Sequence, residues 1–182
     1  ADTEQQALEL VKLLLGYLPQ NNHDDPPQVT PYDDTERMDE ELNTLVPADD
    51  RMSYDVREVL ARAFDRDSFL EIHRGWATNA VVGFARLDGF CVGVVANQPM
   101  HLAGALDIDA SDKIARFALT CDAYNIPIIT FVDTPGFLPG VEPEFAGGTH
   151  GGSGPEGFLQ CGPGRGIHLE GCVRRKRHPA GR

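Results

Sequence analysis

Apolar positions recur at helical spacing near the start of the chain: Leu8, Val11, Leu14, Leu15 and Leu18. They predict a helix over residues 3–18, with Thr3 and Gln6 spaced as a capping box and Pro19 as its stop. The pattern then lapses. Residues 20–53 are acidic, hold Pro26, Pro27, Pro31 and Pro47 and few apolar residues, and read as a linker or an arm draped over a surface. Asp55 to Phe64 reads as a short helix with Val56, Val59, Leu60, Ala63 and Phe64 on one side. Phe69 to Ile72 is a brief strand. Val81 to Leu87 and Phe90 to Asn97 are strands joined at Asp88-Gly89, a strong hairpin signal. A loop, Gln98 to Asp107, leads to a helix capped by Asp109 or Ser111. Its inner face is Ile114, Phe117, Ala118 and Cys121, and Asn125 and Pro127 end it. Ile128 to Val132 is a buried strand bounded by Asp133-Thr134-Pro135-Gly136. Beyond Gly147 no apolar period remains, and no packed structure is expected there.

Charge sharpens that last boundary. The chain of 182 residues carries a net charge of −12, which argues against a duplex nucleic-acid binder and a polybasic membrane-surface role. Residues 1–146 hold 10 basic and 26 acidic side chains, whereas 147–182 hold 6 basic and 2 acidic and 11 of the 19 glycines. The two parts read as different compositions joined together. No run of about 18 apolar residues is present to cross a membrane. The acidic start lacks a secretory leader, and the tethered first helix has little to bury against, so the chain reads as cut from a longer one. Cys91, Cys121, Cys161 and Cys172 form no CxxC pair, so they are expected as small hydrophobes in a reducing, cytoplasmic setting.

Two loops carry candidate chemistry. His101-Leu102-Ala103-Gly104-Ala105-Leu106-Asp107 joins a strand to a helix, and its small residues let a ligand approach the backbone. Free N–H groups there suit a developing oxyanion, such as the carbonyl oxygen of a thioester turning into an enolate. A tight turn built for packing needs the same small residues. Asp133-Thr134-Pro135-Gly136 follows an apolar strand as a GTPase switch does. However, the chain has no Gly-Lys dipeptide for a phosphate cradle, so nucleotide hydrolysis is set aside. The six histidines are scattered and no metal site is expected. No G-x-S-x-G elbow marks a serine hydrolase. The basic run Arg174-Arg175-Lys176-Arg177 sits in Gly/Pro-rich surroundings and reads as part of an unrelated tail.

Several segments together resemble the carboxyltransferase (β) subunits of biotin-dependent acyl-CoA carboxylases, above all those acting on propionyl-CoA. They are Pro19-Gln20-Asn21-Asn22, Asp39-Glu40-Glu41-Leu42 through Val46-Pro47, and Val82-Gly83-Phe84-Ala85-Arg86. Asn97-Gln98-Pro99, Ala103-Gly104-Ala105-Leu106-Asp107-Ile108 and Lys113-x-Ala115-Arg116-Phe117 follow. Most specific is Phe131-Val132-Asp133-Thr134-Pro135-Gly136-Phe137-Leu138-Pro139-Gly140. The resemblance runs from about residue 5 to about 146. It implies an α/β, crotonase-like fold of strand–strand–helix units. The implied divisions are the terminal helix of an N-terminal carboxyltransferase domain (1–19), an acidic interdomain linker (20–53), the first half of the C-terminal domain (54–146) and an unpacked tail (147–182).

The implied activity moves a carboxyl group from carboxybiotin to the α-carbon of propionyl-CoA or a similar short acyl-CoA. Biotin sits on a partner α subunit, and six copies assemble. The implied catalytic groups are the backbone amides of Gly104 and Ala105. The implied acyl-CoA or biotin contacts are Arg74, Trp76, Arg86, Leu106, Pro135, Gly136, Phe137 and Gly140. Two other readings stay open: a non-catalytic acyl-CoA-binding or assembly module, and the carboxyltransferase subunit of a carboxyacyl-CoA decarboxylase. The family pattern stops after Gly147, so its principal oxyanion loops fall outside the chain and turnover by the chain alone is not expected. The tail composition fits an out-of-frame reading of GC-rich codons.

Overall fold

The apolar run from Ala80 to Asn97 turns back on itself at Asp88 and Gly89, whose φ angles of 53° and 76° are those a tight hairpin turn requires. The computed structural model describes residues 3–136 apart from 32, 35, 50 and 51, together with the backbone of 168–172. In chain order the helices are α1 (Glu4–Leu15), α2 (Leu42–Leu45), α3 (Val56–Ala63) and α4 (Ile108–Ala123). The strands are β1 (Leu70–Ile72), β2 (Ala80–Leu87), β3 (Phe90–Asn97), β4 (Ile128–Val132) and β5 (His168–Cys172). They form one sheet in the order β1-β2-β3-β4-β5. The hairpin pairs Ala80 with Asn97 through Leu87 with Phe90, β1 pairs antiparallel to β2, and β4 runs parallel to β3 with Gly93 opposite Ile128.

Both faces of the hairpin are covered, which is why it reads as continuous apolar sequence. Period two divides its side chains between two cores. Ala80, Val82, Phe84, Cys91 and Val95 pack with Ile114, Phe117, Ala118 and Cys121 of α4. Val81, Ala85, Val92, Val94 and Ala96 pack with Val56, Val59 and Leu60 of α3 and with Tyr54, Phe64 and Phe131. The sheet is therefore the middle of three layers, with α3 below and α4 above.

Several expectations shift. The first helix ends at Leu15, because Gly16 caps it before Pro19 is reached; Thr3 accepts from the Gln6 amide as expected of its cap. Helix α4 is capped by Asp107, whose Oδ1 accepts from the Ala110 amide, not by Asp109 or Ser111. The acidic arm is a strap fastened at several points. The Val29 amide donates to Gly89 O, and the Arg37 guanidinium donates to the carbonyls of Arg62 and Phe64. The tail is corrected more sharply. His168–Cys172 forms a strand antiparallel to β4, where no packed structure was expected. The reason is that an open strand edge recruits main-chain groups whatever the side-chain pattern.

The thiols of Cys91 and Cys121 are buried in the α4 core. Burial pushes Cys91 up to about 11 and Cys121 up to about 12, the latter helped by Cys91 nearby. The folded state thus keeps these protons at a pH where the unfolded chain has lost them. Their stabilising effect is complete below about pH 9 and fades as pH rises toward the folded values. Lys113, held below its usual range by burial, acts in the opposite sense there. The expected outcome is a loss of about 2 kcal/mol from Cys121 alone near pH 10.5, read as a fall in urea midpoint from its value at pH 8. Cys121→Ala should flatten that fall; an unchanged slope contradicts it.

Candidate active site

Strands β3 and β4 run parallel, so their carboxyl ends open side by side. In α/β sheets ligands bind in such a crevice. Two loops leave from these ends: 98–107 after β3 and 133–136 after β4. Both start in polar residues that interrupt an apolar run, Gln98 in the first and the half-buried Asp133 in the second, and buried carboxamides surround them. Gln98 is fully buried, and Asn79 and Asn97 nearly so.

Their carboxamides fix the loops. Asn97 Nδ2 donates to Gly104 O at 3.1 Å while its Oδ1 accepts from the Asp133 amide at 3.3 Å, so one side chain joins the two loops. Asn79 Nδ2 donates to Ala105 O at 2.8 Å and to Asp107 Oδ1 at 3.2 Å. Gln98 Nε2 donates to Asp55 Oδ1, and the Gln98 amide to Asn79 O. Tyr54 Oη donates to Asp133 Oδ2 at 2.8 Å; burial together with that carboxylate raises the phenol's pKa. The Leu106 amide donates to Gly136 O at 3.0 Å and closes the pair of loops.

Within the first loop the backbone is left-handed over three consecutive residues. Leu102, Ala103 and Gly104 have φ of 52°, 52° and 77°. For Leu and Ala this conformation is strained, and it persists because the carboxamides on either side hold it. The Gly104 amide donates to His101 O and the Ala105 amide to Leu102 O, each at 2.9 Å. This corrects the expected oxyanion donors: both amides are engaged inside the turn. Among the described residues, the Leu102 and Ala103 amides have no acceptor, and both residues are exposed. Successive N–H groups in such a turn form a small anion-binding concavity.

The other expected contacts separate. Trp76 and Arg74 lie in the turn before β2, at the same end of the sheet as Asn97. Trp76 is half-buried with its ring edge-on to His73, and Arg74 is exposed with Glu71 at 3.6 Å. Arg86 is at the opposite end of β2, about 20 Å from Ala80 at 3.3 Å per residue. Its guanidinium donates to Pro27 O, Gly89 O and Gly16 O and lies over the Tyr17 ring. Arg86 therefore ties the strap and the end of α1 to the hairpin, and is no ligand contact. The Leu106 side chain is in the α4 core and is likewise withdrawn from the crevice. Pro135 is exposed and Gly136 half-buried beside the loop pair. Phe137 and Gly140 lie outside the described residues.

Lys113 was missed as a site residue. It sits on the buried face of α4, and its ammonium donates to the carbonyls of Trp76, Ala77 and Ala80 at 2.8, 3.3 and 2.7 Å. It thereby fixes the turn that carries Trp76 and Asn79. The signal was a lysine at helical spacing from Ala110, Ile114 and Phe117, where an apolar residue is the norm.

Residues 1–153 match the family model described as the carboxyl transferase domain. The chain belongs to the carboxyl transferase family. It is 55% identical over 146 residues to the carboxyltransferase subunit of propionyl-CoA carboxylase from Haloferax mediterranei, covering 80% of this chain and 28% of that protein. It is 48% identical over 147 residues to the methylmalonyl-CoA decarboxylase subunit alpha from Veillonella parvula, covering 81% of this chain and 29% of that one. The transcarboxylase 12S crystal structure, a hexamer assembly with methylmalonyl-coenzyme A and methylmalonic acid bound, superposes with a TM-score of 0.74 at 48% identity. It covers 78% of this chain and 27% of that one. The fold of this carboxyl transferase chain is the expected α/β, crotonase-like type, present in part. The chain spans less than a third of the length of the relatives it matches. Among the described residues no helix is long and apolar enough to cross a membrane.

Proposed function

We propose that this chain is the part of a biotin-dependent acyl-CoA carboxyltransferase that presents main-chain donors and the Trp76 turn to a short acyl-CoA. The observation carrying this is the pair of adjacent amides, Leu102 and Ala103, which have no acceptor among the described residues, at the carboxyl ends of β3 and β4. Two preorganised N–H donors suit an oxygen that gains negative charge, such as a thioester carbonyl as its α-proton leaves. They equally suit the ureido oxygen of biotin. Biotin, carried by a partner chain, supplies the activated carboxyl group when bound. Asn97 and Asn79 hold the donors in place, and Lys113 holds Trp76 against the same end. Arg74, exposed beside Glu71, would exchange that contact for the phosphates of the coenzyme. Assembly into a homo-oligomer of the hexameric kind and work in the cytoplasm belong to the same proposal.

The Veillonella relative supports a second direction, in which the same site serves loss of the carboxyl group from a carboxyacyl-CoA. Here too the donors would stabilise the thioester enolate, so the loops are common to both.

Isothermal titration of the chain with propionyl-CoA and with free coenzyme A tests the acyl-CoA contact. Propionyl-CoA is expected to bind more tightly than coenzyme A. Arg74→Ala is expected to weaken both several-fold at low salt and less at high salt. Absence of heat with either ligand contradicts acyl-CoA contact and leaves assembly as the role of this part.

A further inference from the structure

Glu71 lies in the middle of β1, opposite Gly83 of β2, and its side chain is only 9% exposed. A carboxylate so placed needs a cation and hydrogen bonds to offset its lost hydration. Arg57, on the first turn of α3, supplies both. Its Nε donates to Glu71 Oε2 at 2.8 Å and its Nη2 to Oε1 at 2.7 Å, a two-point contact that engages each oxygen. The base of Arg57 is fixed as well, because Asp55 Oδ1 accepts from its amide at 2.9 Å and from Gln98 Nε2 at 2.6 Å.

Arg74 approaches the same carboxylate from the turn after β1. Its Nε is 3.6 Å from Glu71 Oε2, beyond hydrogen-bond reach, and its side chain is 77% exposed. Such an ion pair contributes little. The buried Lys113 ammonium, which donates to the Trp76 carbonyl, is a further positive neighbour of Glu71. Glu71 thus faces three cations, and Arg74 can leave it without stranding a buried charge. Arg74 shares its turn with Trp76, at the end of the sheet where the loops after β3 and β4 open.

We propose that Arg57 is a positioning residue for coenzyme binding: by satisfying Glu71 it leaves Arg74 releasable to a phosphate. This rests on reading this end of the sheet as an acyl-CoA site. Arg57 acts through Arg74 and has no need to touch the ligand. Without its two-point contact, Glu71 would draw Arg74 inward, and a phosphate would compete with a nearly buried carboxylate. Removing the Glu71 charge instead should release Arg74 and act in the opposite direction.

The test titrates the full 15N-labelled chain at low salt with propionyl-CoA and with propionyl-pantetheine, the same thioester without phosphates. Amide shifts across 70–80 and 98–107 give each Kd. The chains compared are the parent, Arg57→Gln, Glu71→Gln, Arg74→Ala and Arg57→Gln/Arg74→Ala. Arg57→Gln is expected to weaken propionyl-CoA by about threefold or more, and Glu71→Gln to tighten it by a similar factor. Neither should move the Kd of propionyl-pantetheine, which a merely structural role would also change. With Arg74→Ala in place, Arg57→Gln should have no further effect. Should Arg57→Gln not fold, the opposite sign at Glu71→Gln carries the test. The proposal is overturned if Glu71→Gln weakens propionyl-CoA, or if Arg57→Gln leaves it unchanged or weakens both ligands alike. It is also overturned if the Arg57→Gln effect persists beside Arg74→Ala, which would make it a direct field of the Arg57 charge. No shift in the parent chain with either ligand overturns the acyl-CoA reading itself, and this proposal with it.

Discussion

Replacing Lys113 by methionine is expected to destabilise the chain by about 3 kcal/mol. Methionine fills the channel occupied by the lysine stem, so the volume change is small and the loss isolates the ammonium. That ammonium is fully buried and is the donor shared by the carbonyls of Trp76, Ala77 and Ala80. Removing it takes that donor from the carbonyls of Trp76 and Ala80, while Ala77 O keeps the Ala80 amide at 3.1 Å. A single buried group left without its partner costs about 1–3 kcal/mol, and two that share one donor do not add in full. Burial already holds the lysine pKa down, so part of the gross attraction offsets desolvation and the net figure is moderate. Urea midpoints of the two chains measure the difference. The turn should also loosen before the sheet does, seen as faster exchange at 76–80 than at 90–97. A change below about 1 kcal/mol contradicts the assignment of Lys113 as the fastener of this turn.

Gly104→Ala is expected to be nearly as damaging, for a different reason. Its φ of +77° is a left-handed conformation, and a Cβ there would come within 2.5 Å of the Asp133 carbonyl oxygen. The second obstacle is the stronger, because the atom struck is backbone and cannot rotate away. The two loops must part, which weakens the Asn97 bonds to Gly104 and Asp133 and the Leu106–Gly136 bond. A loss of about 2–4 kcal/mol is expected. Gly136→Ala is the control. Its φ of +129° is also unfavourable for alanine, yet among the described residues nothing lies within 4 Å of the added carbon, so about 1–2 kcal/mol is expected. Equal losses for the two substitutions contradict the close approach of the loops.

Local pattern reached far into this fold. The span Phe90–Asn97 and the span Ile128–Val132 are strands at their expected ends, and the Asp88-Gly89 turn is the expected hairpin. These stretches are bounded by turn residues whose backbone needs are local. The inner face of α4 was equally visible, since period 3.6 singles out Ile114, Phe117, Ala118 and Cys121. What local pattern does not carry is which donors are engaged by which acceptors. Gly104 and Ala105 were the natural oxyanion donors by their smallness. Only three-dimensional pairing reveals that their amides close the turn, while those of Leu102 and Ala103 meet no acceptor among the described residues. Arg86 misled for a similar reason: an arginine in an apolar strand looks like a ligand contact until the carbonyls of Gly16, Pro27 and Gly89 arrive from distant segments. Asn79, Asn97 and Gln98 were legible in hindsight as polar residues ending apolar runs. The tail strand was not legible at all, because a sheet edge pairs with main chain and leaves no periodic trace.

The central claim is that chemistry at this site rests on the unengaged main-chain donors of a left-handed turn. Amide chemical shifts of the 15N-labelled chain, followed as propionyl-CoA is added, test it most directly. The amides of Leu102 and Ala103 should move the most within 98–107, while Gly104 and Ala105 keep their positions because their hydrogen bonds within the turn persist. Shifts led by Gly104 and Ala105 with Leu102 and Ala103 unmoved, or saturation of the chain with no change across 98–107, would contradict the account.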